Sequence, residues 1–325
     1  MDWTTQLIVL ALAMTVEMLF GYPTALFARI RHPVVWIGTL IDRLDRWLNT
    51  ASQPFEARRN AGFAALGILL LVSAATAWVI EAVLLAIPLG TLALAAVASS
   101  LIASKSLDEH VRAVADGLER QGLEGGRRAV AMIVGRNPKT LDGHGVARAA
   151  IESLAENFSD GIVAPVFWLG AFGLPGGVLY KAVNTADSMI GHRTPRHEAF
   201  GYAAAKLDDL INLPASRLSA VLVVVAAFLL PGADPAGAWR AVRRDAHRHR
   251  SPNAGWPEAA FAGALGLKLN GPKVYGEVLT DDAHMGDGRA EATAADIRRA
   301  LDLYRLACLI QIGTVFAILA IILIL

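Results

Sequence analysis

Long apolar runs alternate with charged stretches along this chain, and a membrane-spanning helix needs about 20 apolar residues. Residues 4–20, TTQLIVLALAMTVEMLF, fit a first span with Glu17 near one end. The apolar block from 61 to 104 is interrupted around Glu81 and Pro88, and reads as a hairpin of two spans, about 61–80 and 84–103. Residues 161–180 are apolar but laced with Pro165, Pro175 and several glycines. Residues 215–230 are short for a span, and 303–325 form a strong last one.

The segments between are polar and helical in pattern. Leu107, Val111, Val114 and Leu118 fall on one face of a helix over 106–121. Gly125-Gly126 is expected to end it, and GRNP at 135–138 to end the next. Thr293 with Asp296 three later resembles a capping box, opening a helix that runs into the last span. No stretch alternates as a strand would. The expected fold is all-α: a single polytopic membrane domain over 1–325, with cytoplasmic amphipathic helices and a broken or re-entrant segment. Polar candidate-site segments cover 105–160, 181–217 and 236–300.

Basic residues set the orientation, because Lys and Arg stay cytoplasmic. Arg29, Arg31, Arg43, Arg46, Arg58 and Arg59 lie between the first two spans. Lys105, Arg112, Arg120, Arg127, Arg128, Arg136, Lys139 and Arg148 follow the hairpin. Both loops are expected inside and the N-terminus outside. The polar clusters at 136–160, 181–217 and 240–276 share one membrane side only if 161–180, 215–230 or both are re-entrant or shallow. The Pro and Gly content of 161–180 favours that segment, since broken helices are tolerated where they line protein or a wet cavity.

Composition agrees. Of 325 residues, 54% are hydrophobic and 18% charged, against roughly 25% charged in soluble domains. The net charge of +1 gives no bulk attraction for nucleic acid. The single cysteine, Cys308, excludes an internal disulfide and a thiolate zinc cluster and reads as a small buried hydrophobe. MDWTTQ lacks the basic region of a cleaved signal peptide, so the first apolar run is expected to stay.

Candidate chemistry clusters beside the apolar runs. In ESLAENFSDGIVAPVFW, residues 152–168, Glu152, Glu156 and Asp160 are spaced to stack on one helix face. One reading is a solvated face with Arg148 reaching Glu152. The other is cation binding, because crowded carboxylates can share Mg²⁺, which takes one or two of them plus phosphate oxygens and water. NTADSMIGHR supplies Asn184, Asp187, Ser188 and Arg193, and KLDDLINLPASR supplies Lys206, Asp208, Asp209, Asn212 and Arg217. Taken singly, these segments read as caps and local ion pairs, with Asn184 starting a short helix. Together they are functional candidates, since ionisable groups near membrane depth are expensive. In HRHRSPNAGWPEAAFAGALG, residues 247–266, Pro257 at a helix start would put Glu258 in the first turn, and a well-capped helix is the plainest reading. His247 and His249 sit in a basic run that reads as solvated, and His32 before Pro33 as structural. There is no G-x-x-x-x-G-K-[ST], G-x-G-x-x-G or H-E-x-x-H.

HPVVWIG, GRNPKTLD, AAIESLAENFSDGIVAPVFW, LPGGVLYKAVNTADSMIGHR, FGYAAAKLDDLINLPASRL and SPNAGWPEAAFAGALG, in that order, together resemble the CobD/CbiB family. These are the integral membrane adenosylcobinamide-phosphate synthases of cobalamin biosynthesis. The likeness runs from about residue 17 to 305. It departs where many relatives carry Asp before Pro and this chain has Tyr22 before Pro23.

The resemblance implies ATP-dependent joining of adenosylcobyric acid to an aminopropanol or its O-phosphate through an amide, by way of an acyl phosphate. It implies ATP and Mg²⁺, and Glu152, Glu156, Asp160, Asp187 and Asp208 for catalysis, the last four as metal ligands. Arg136, Lys181, Arg193 and Arg217 become phosphate candidates. Asn157, Asn184 and Asn253 could read corrin amides or phosphate. His32, Asp209, Asn212, Ser251, Trp256 and Glu258 complete the substrate set. Trp36, Trp168, Tyr180 and Trp256 could pack on the corrin face or anchor at the membrane interface. The expected partners are the corrinoid and aminopropanol substrates, the lipid bilayer, and a second copy or other pathway enzymes. The expected place is the bacterial inner membrane, with the site facing the cytoplasm. A non-catalytic membrane sensor resembling AmpE and a transporter are the alternatives; the full set of acid, amide and Arg blocks disfavours the first, and the lack of an inverted repeat the second.

Overall fold

The computed structural model describes residues 1–23, 28–29, 31–135, 137–275, 278–280 and 282–324. The described chain is helical apart from short turns and two small β-ladders. Among the described residues, five helical stretches are long and apolar enough to cross a membrane: Trp3–Phe20, Phe55–Leu85, Gly90–Val130, Gly143–Ile190 and Ala294–Ile324. Tyr202–Ile211 with Leu213–Leu229 makes a sixth if the pair is one broken span. This is the architecture of an integral membrane protein. The chain divides into two compact units, Met1–Ala103 with Ala164–Asn212 and Val315–Leu325, and Ser104–Val163 with Leu213–Thr314.

In the first unit, α1 (Trp3–Phe20) starts where the Asp2 carboxylate accepts the Thr5 N–H at 2.9 Å, and ends at Gly21. α2 (Pro33–Leu48) has His32 as its N-cap: Nδ1 accepts the Val34 N–H at 3.2 Å, and Pro33 supplies a preset first turn. Tyr22 lies edge-on to that imidazole, ring centres 4.5 Å apart, and its hydroxyl donates to the Arg31 carbonyl.

α3 (Phe55–Leu85) buries a stripe of small and apolar residues, Gly62, Ala65, Leu69, Ser73 and Ala77, at helical spacing. Its other faces expose Phe63, Leu71, Val72, Trp78 and Val83, as a lipid-facing helix does. The helix runs through Glu81, and the turn to α4 (Gly90–Ser99) falls at Ala86–Leu89.

α7 (Ala164–Ile190) is two helices in series. Gly173 has φ 66°, where a side chain is strained, and Pro175 follows in the first turn of the second half. That new start is capped from afar: the Leu174 N–H donates to Glu81 Oε2 at 2.9 Å. A carboxylate at a helix N-terminus is stabilising, so Glu81 serves the break in α7 and leaves α3 whole. α8 (Tyr202–Ile211) closes this unit.

In the second unit, α5 (Ser104–Val130) breaks at Gly122, φ 65°. The predicted break at Gly125-Gly126 is three to four residues late. Those glycines instead let the returning half press on Gly117, where a Cβ would come within 2.7 Å of the Gly125 carbonyl oxygen. Asp142 caps α6 (Gly143–Phe158), which passes through a π-helical turn, Ser159–Val163, at the edge of the unit. α9 (Leu213–Leu229), α10 (Pro235–Asp245) and α11 (Gly255–Leu265) follow. The ring of Phe158 meets Phe261 and Tyr304 edge-on in the core. Four strands too short to show alternation pair as β1 (Leu269–Asn270) with β4 (His284–Met285) and β2 (Lys273–Tyr275) with β3 (Val278–Thr280). The expected Thr293–Asp296 cap opens α12 (Ala294–Ile324), the Thr293 N–H and hydroxyl each 2.8 Å from Asp296 Oδ2. Arg298 ties α12 to Asp116 and Glu119 of α5. Cys308 is half-buried on α12.

Candidate functional site

In the first unit the polar candidates gather on the second half of α7 and on α8. Tyr180, Asn184 and Asp187 recur every three or four residues along α7, and Asp208 and Asn212 are one turn apart along α8 and its end. These spacings are visible in sequence, but the bonds across the helices are not. The Asn184 amide donates to Asp208 Oδ1 at 3.4 Å, and Asn212 Nδ2 donates to Asp208 Oδ2 at 3.0 Å. Tyr180 donates its hydroxyl to Asn212 Oδ1 at 2.9 Å. Tyr180 thus anchors a chain that runs through the Asn212 amide to one oxygen of Asp208, while Asn184 holds the other. Asn184 sits mid-helix, so the cap expected of it is replaced by this cross-helix bond.

Asp187 and Asp209 lie close enough for their charges to act on Asp208. Gly191 was not singled out from sequence, yet only a residue without a side chain fits there: a Cβ would meet the Asp187 carboxylate at 2.0 Å. Lys181 on α7 acts on the half-buried His32 at the start of α2. Burial and then the Lys181 charge push the His32 imidazole below its ordinary pKa, against a hydrogen bond to the Ser100 backbone. Arg193 is exposed beyond the end of α7, as is Trp36 on α2, and Asp209 pairs weakly with Lys206 at 3.8 Å.

In the second unit the polar candidates meet where α9 faces the turn into α11. Arg217 lies over the Trp256 ring, 4.4 Å from its centre. One guanidinium nitrogen donates to Asn253 Oδ1 at 3.0 Å and to Ser216 Oγ at 2.8 Å. Among the described residues no carboxylate pairs with Arg217, so it is an oriented cation with open donors, the form that takes phosphate or carboxylate in a fork. Ser251 Oγ accepts the N–H groups of Asn253 and Ala254 and shapes the turn. Glu258 falls in the first turn of α11, as expected, and is 3% exposed. His249 is not solvated as the basic run suggests: it is half-buried, 3.7 Å from Glu258.

Glu152 and Glu156 lie four residues apart on α6 and differ in burial, and Asp160 lies beyond the end of that helix. Glu152 is buried and accepts the Asn270 N–H at 2.8 Å, Glu156 is exposed, and Asp160 falls in the π-helical turn, half-buried. Arg148 donates to the Ala290 carbonyl rather than to Glu152. Asn157 is exposed, its amide turned back to Ser153. Arg136 lies outside the described residues.

Among the described residues no three His, Cys, Asp or Glu side chains are grouped to hold a metal by themselves. The acid pair Asp187 and Asp208, with Asn184 between them, still fits Mg²⁺, which completes its shell from phosphate and water.

A family model described as CobD/Cbib protein matches residues 10–304. Cobalamin biosynthesis protein CobD of a Sinorhizobium species is 50% identical over 97% of this chain and 98% of its own. The protein of that name from Rhizobium meliloti strain 1021 is 49% identical over 93% of each chain, and that from Brucella suis biovar 1 is 47% identical over 96% of each. No solved structure matches. With matched residues running from within the first apolar helix through both polar clusters to the start of the last helix, the chain belongs to the CobD/CbiB family.

Proposed function

We propose that this chain acts in cobalamin biosynthesis as an ATP-dependent ligase, joining the free carboxylate of adenosylcobyric acid to (R)-1-aminopropan-2-ol or its O-phosphate. Family membership supports the pathway, and one observation carries the chemistry: Asp208, buried and held by Asn184 and Asn212, with the charge of Asp187 beside it. Negative charge gathered at that depth calls for a cation.

A carboxylate is a poor acyl donor because oxide is a poor leaving group. Transfer of the ATP γ-phosphoryl group to the carboxylate gives an acyl phosphate and ADP. The amine then attacks the acyl carbon, inorganic phosphate leaves with the bonding pair, and a base takes the ammonium proton. Mg²⁺ would neutralise phosphate charge during the transfer. In this reading Asp187 and Asp208 hold it, and the Tyr180–Asn212 bond keeps the Asp208 carboxylate aimed. Arg217, fixed by Trp256 and Asn253, clamps a phosphate or carboxylate oxygen. Glu156 and Asp160 are the candidates for proton transfer. Glu152 orders the chain at Asn270 and through it the turn that follows. The basic loops support a cytoplasmic orientation for these polar segments, on the side of the membrane where ATP is.

The test is purified protein in detergent with adenosylcobyric acid, aminopropanol phosphate and MgATP, read by mass spectrometry. The expected result is the amide product. No product, under conditions where a relative works, would remove the ligase reading and favour a non-catalytic sensor.

A further inference from the structure

The first unit contains a cavity of about 560 Å³ that the ligase chemistry does not use. Its walls are Leu70 of α3, Trp168, Leu179 and Val183 of α7, and Leu207 and Ile211 of α8. The two polar groups near it are committed elsewhere: the Trp168 indole N–H donates to the Ile211 carbonyl and the Tyr180 hydroxyl to Asn212. The cavity therefore presents carbon. An apolar cavity of roughly 150 Å³ stays dry and takes up benzene; this one is several times larger, and an apolar ligand is the occupant its walls select.

The depth says which ligand. Leu70 lies midway along α3, a 31-residue helix about 46 Å long, against a hydrocarbon core of about 30 Å. The wall is thus at core depth. Beside the walls, Leu71 is 73% exposed, Phe172 63% and Leu210 60%, an apolar surface of the kind a bilayer covers. We infer that this cavity binds the acyl chain of a membrane lipid. The chain fills the space behind Val183 and Leu207, whose neighbours Asn184 and Asp208 bond each other, and so supports the face that carries the acids.

The probe is a phosphatidylcholine brominated midway along one acyl chain, added to the full protein in detergent. Bromine quenches indole emission on contact, and the Trp168 share of the signal is the difference between the natural chain and Trp168→Phe. The expected result is loss of most of the Trp168 emission, and a much smaller loss in Leu207→Gln, which puts an amide on a wall that now presents only carbon. Leu179→Gln serves the same purpose should Leu207→Gln fail to fold. No quenching, or equal quenching in a folded polar-walled variant, would overturn the inference, since the latter means lipid touches Trp168 from outside. Release of bound brominated lipid on adding cobyric acid, read by native mass spectrometry, would assign the cavity to the corrinoid and overturn it too.

Discussion

Arg217 sits over Trp256, its guanidinium carbon 4.4 Å from the ring centre, and among the described residues no carboxylate neutralises it. An arginine with an acidic partner is held by that partner. This one is held by an indole face and the Asn253 carbonyl oxygen, both neutral, so its charge remains for a ligand. Arg217→Lys keeps the charge but loses the fork and the stacking. Charge-assisted hydrogen bonds contribute about 1.5–3 kcal/mol, so KM for the anionic substrate it clamps rises roughly 10- to 100-fold. Comparing KM for MgATP, aminopropanol and aminopropanol phosphate shows which anion that is.

Asp208→Asn preserves shape but removes the charge and one of the two accepting oxygens, which now take bonds from Asn184 and Asn212. The expected outcome is a fall in kcat of about 100-fold or more, with a modest drop in melting temperature from the lost bond. Titrating Mg²⁺ at saturating ATP separates a lost ligand, which shifts the magnesium requirement, from a lost base, which does not.

Tyr180→Phe deletes the hydroxyl that satisfies Asn212, and Tyr180 is only 2% exposed. Losing one buried hydrogen bond costs about 0.5–1.5 kcal/mol. Thermal unfolding in detergent is expected to shift down, and kcat to fall less than in Asp208→Asn, because the carboxylate stays but is no longer fixed.

Glu81→Ala uncaps the second half of α7 across 93 residues of sequence, at an expected cost of about 1 kcal/mol. Gly173→Ala forces a side chain to φ 66° and toward the Glu81 carboxylate at 2.8 Å. Both variants lower the melting temperature. Their double mutant falls by less than the sum, because they share one contact.

Asp245 sets an acid limb on stability. Burial alone would raise its carboxyl, but hydrogen bonds from Arg244 and from the Gly286 N–H outweigh that and hold it below the ordinary 3.8. A carboxyl lowered on folding contributes stability that is complete above the unfolded value and disappears as pH falls through the folded one. Denaturation midpoints measured from neutral pH to below 3.8 are expected to drop at the acid end, and Asp245→Asn to flatten that drop.

Sequence showed the spans, because a run of 20 apolar residues needs no partner to be read. It showed the broken α7, because Gly173 and Pro175 each limit the backbone locally. Glu81 was misread as a breaker, since the N–H that justifies it belongs to Leu174, far along the chain. The break in α5 fell on Gly122 and not Gly125-Gly126, because glycine serves both turns and close helix approach, and only packing tells them apart. The four-residue spacing of Glu152, Glu156 and Asp160 is legible in sequence, but the π-helical turn that holds Asp160 and the Asn270 N–H that Glu152 accepts are not, because both depend on packing. Within the candidate site, Asp208 and Asn212 were legible from their spacing. The Tyr180 hydroxyl and Gly191 were not, because each acts on a residue whose position only the fold supplies.

The central claim is that ATP drives amide formation, and nucleotide stoichiometry tests it most directly. With purified protein, adenosylcobyric acid and the amine, the prediction is one ADP and one phosphate released for each amide formed, none without the corrinoid, and at most one ADP per enzyme without the amine. Amide formation without nucleotide cleavage, or cleavage that ignores the corrinoid, would contradict it.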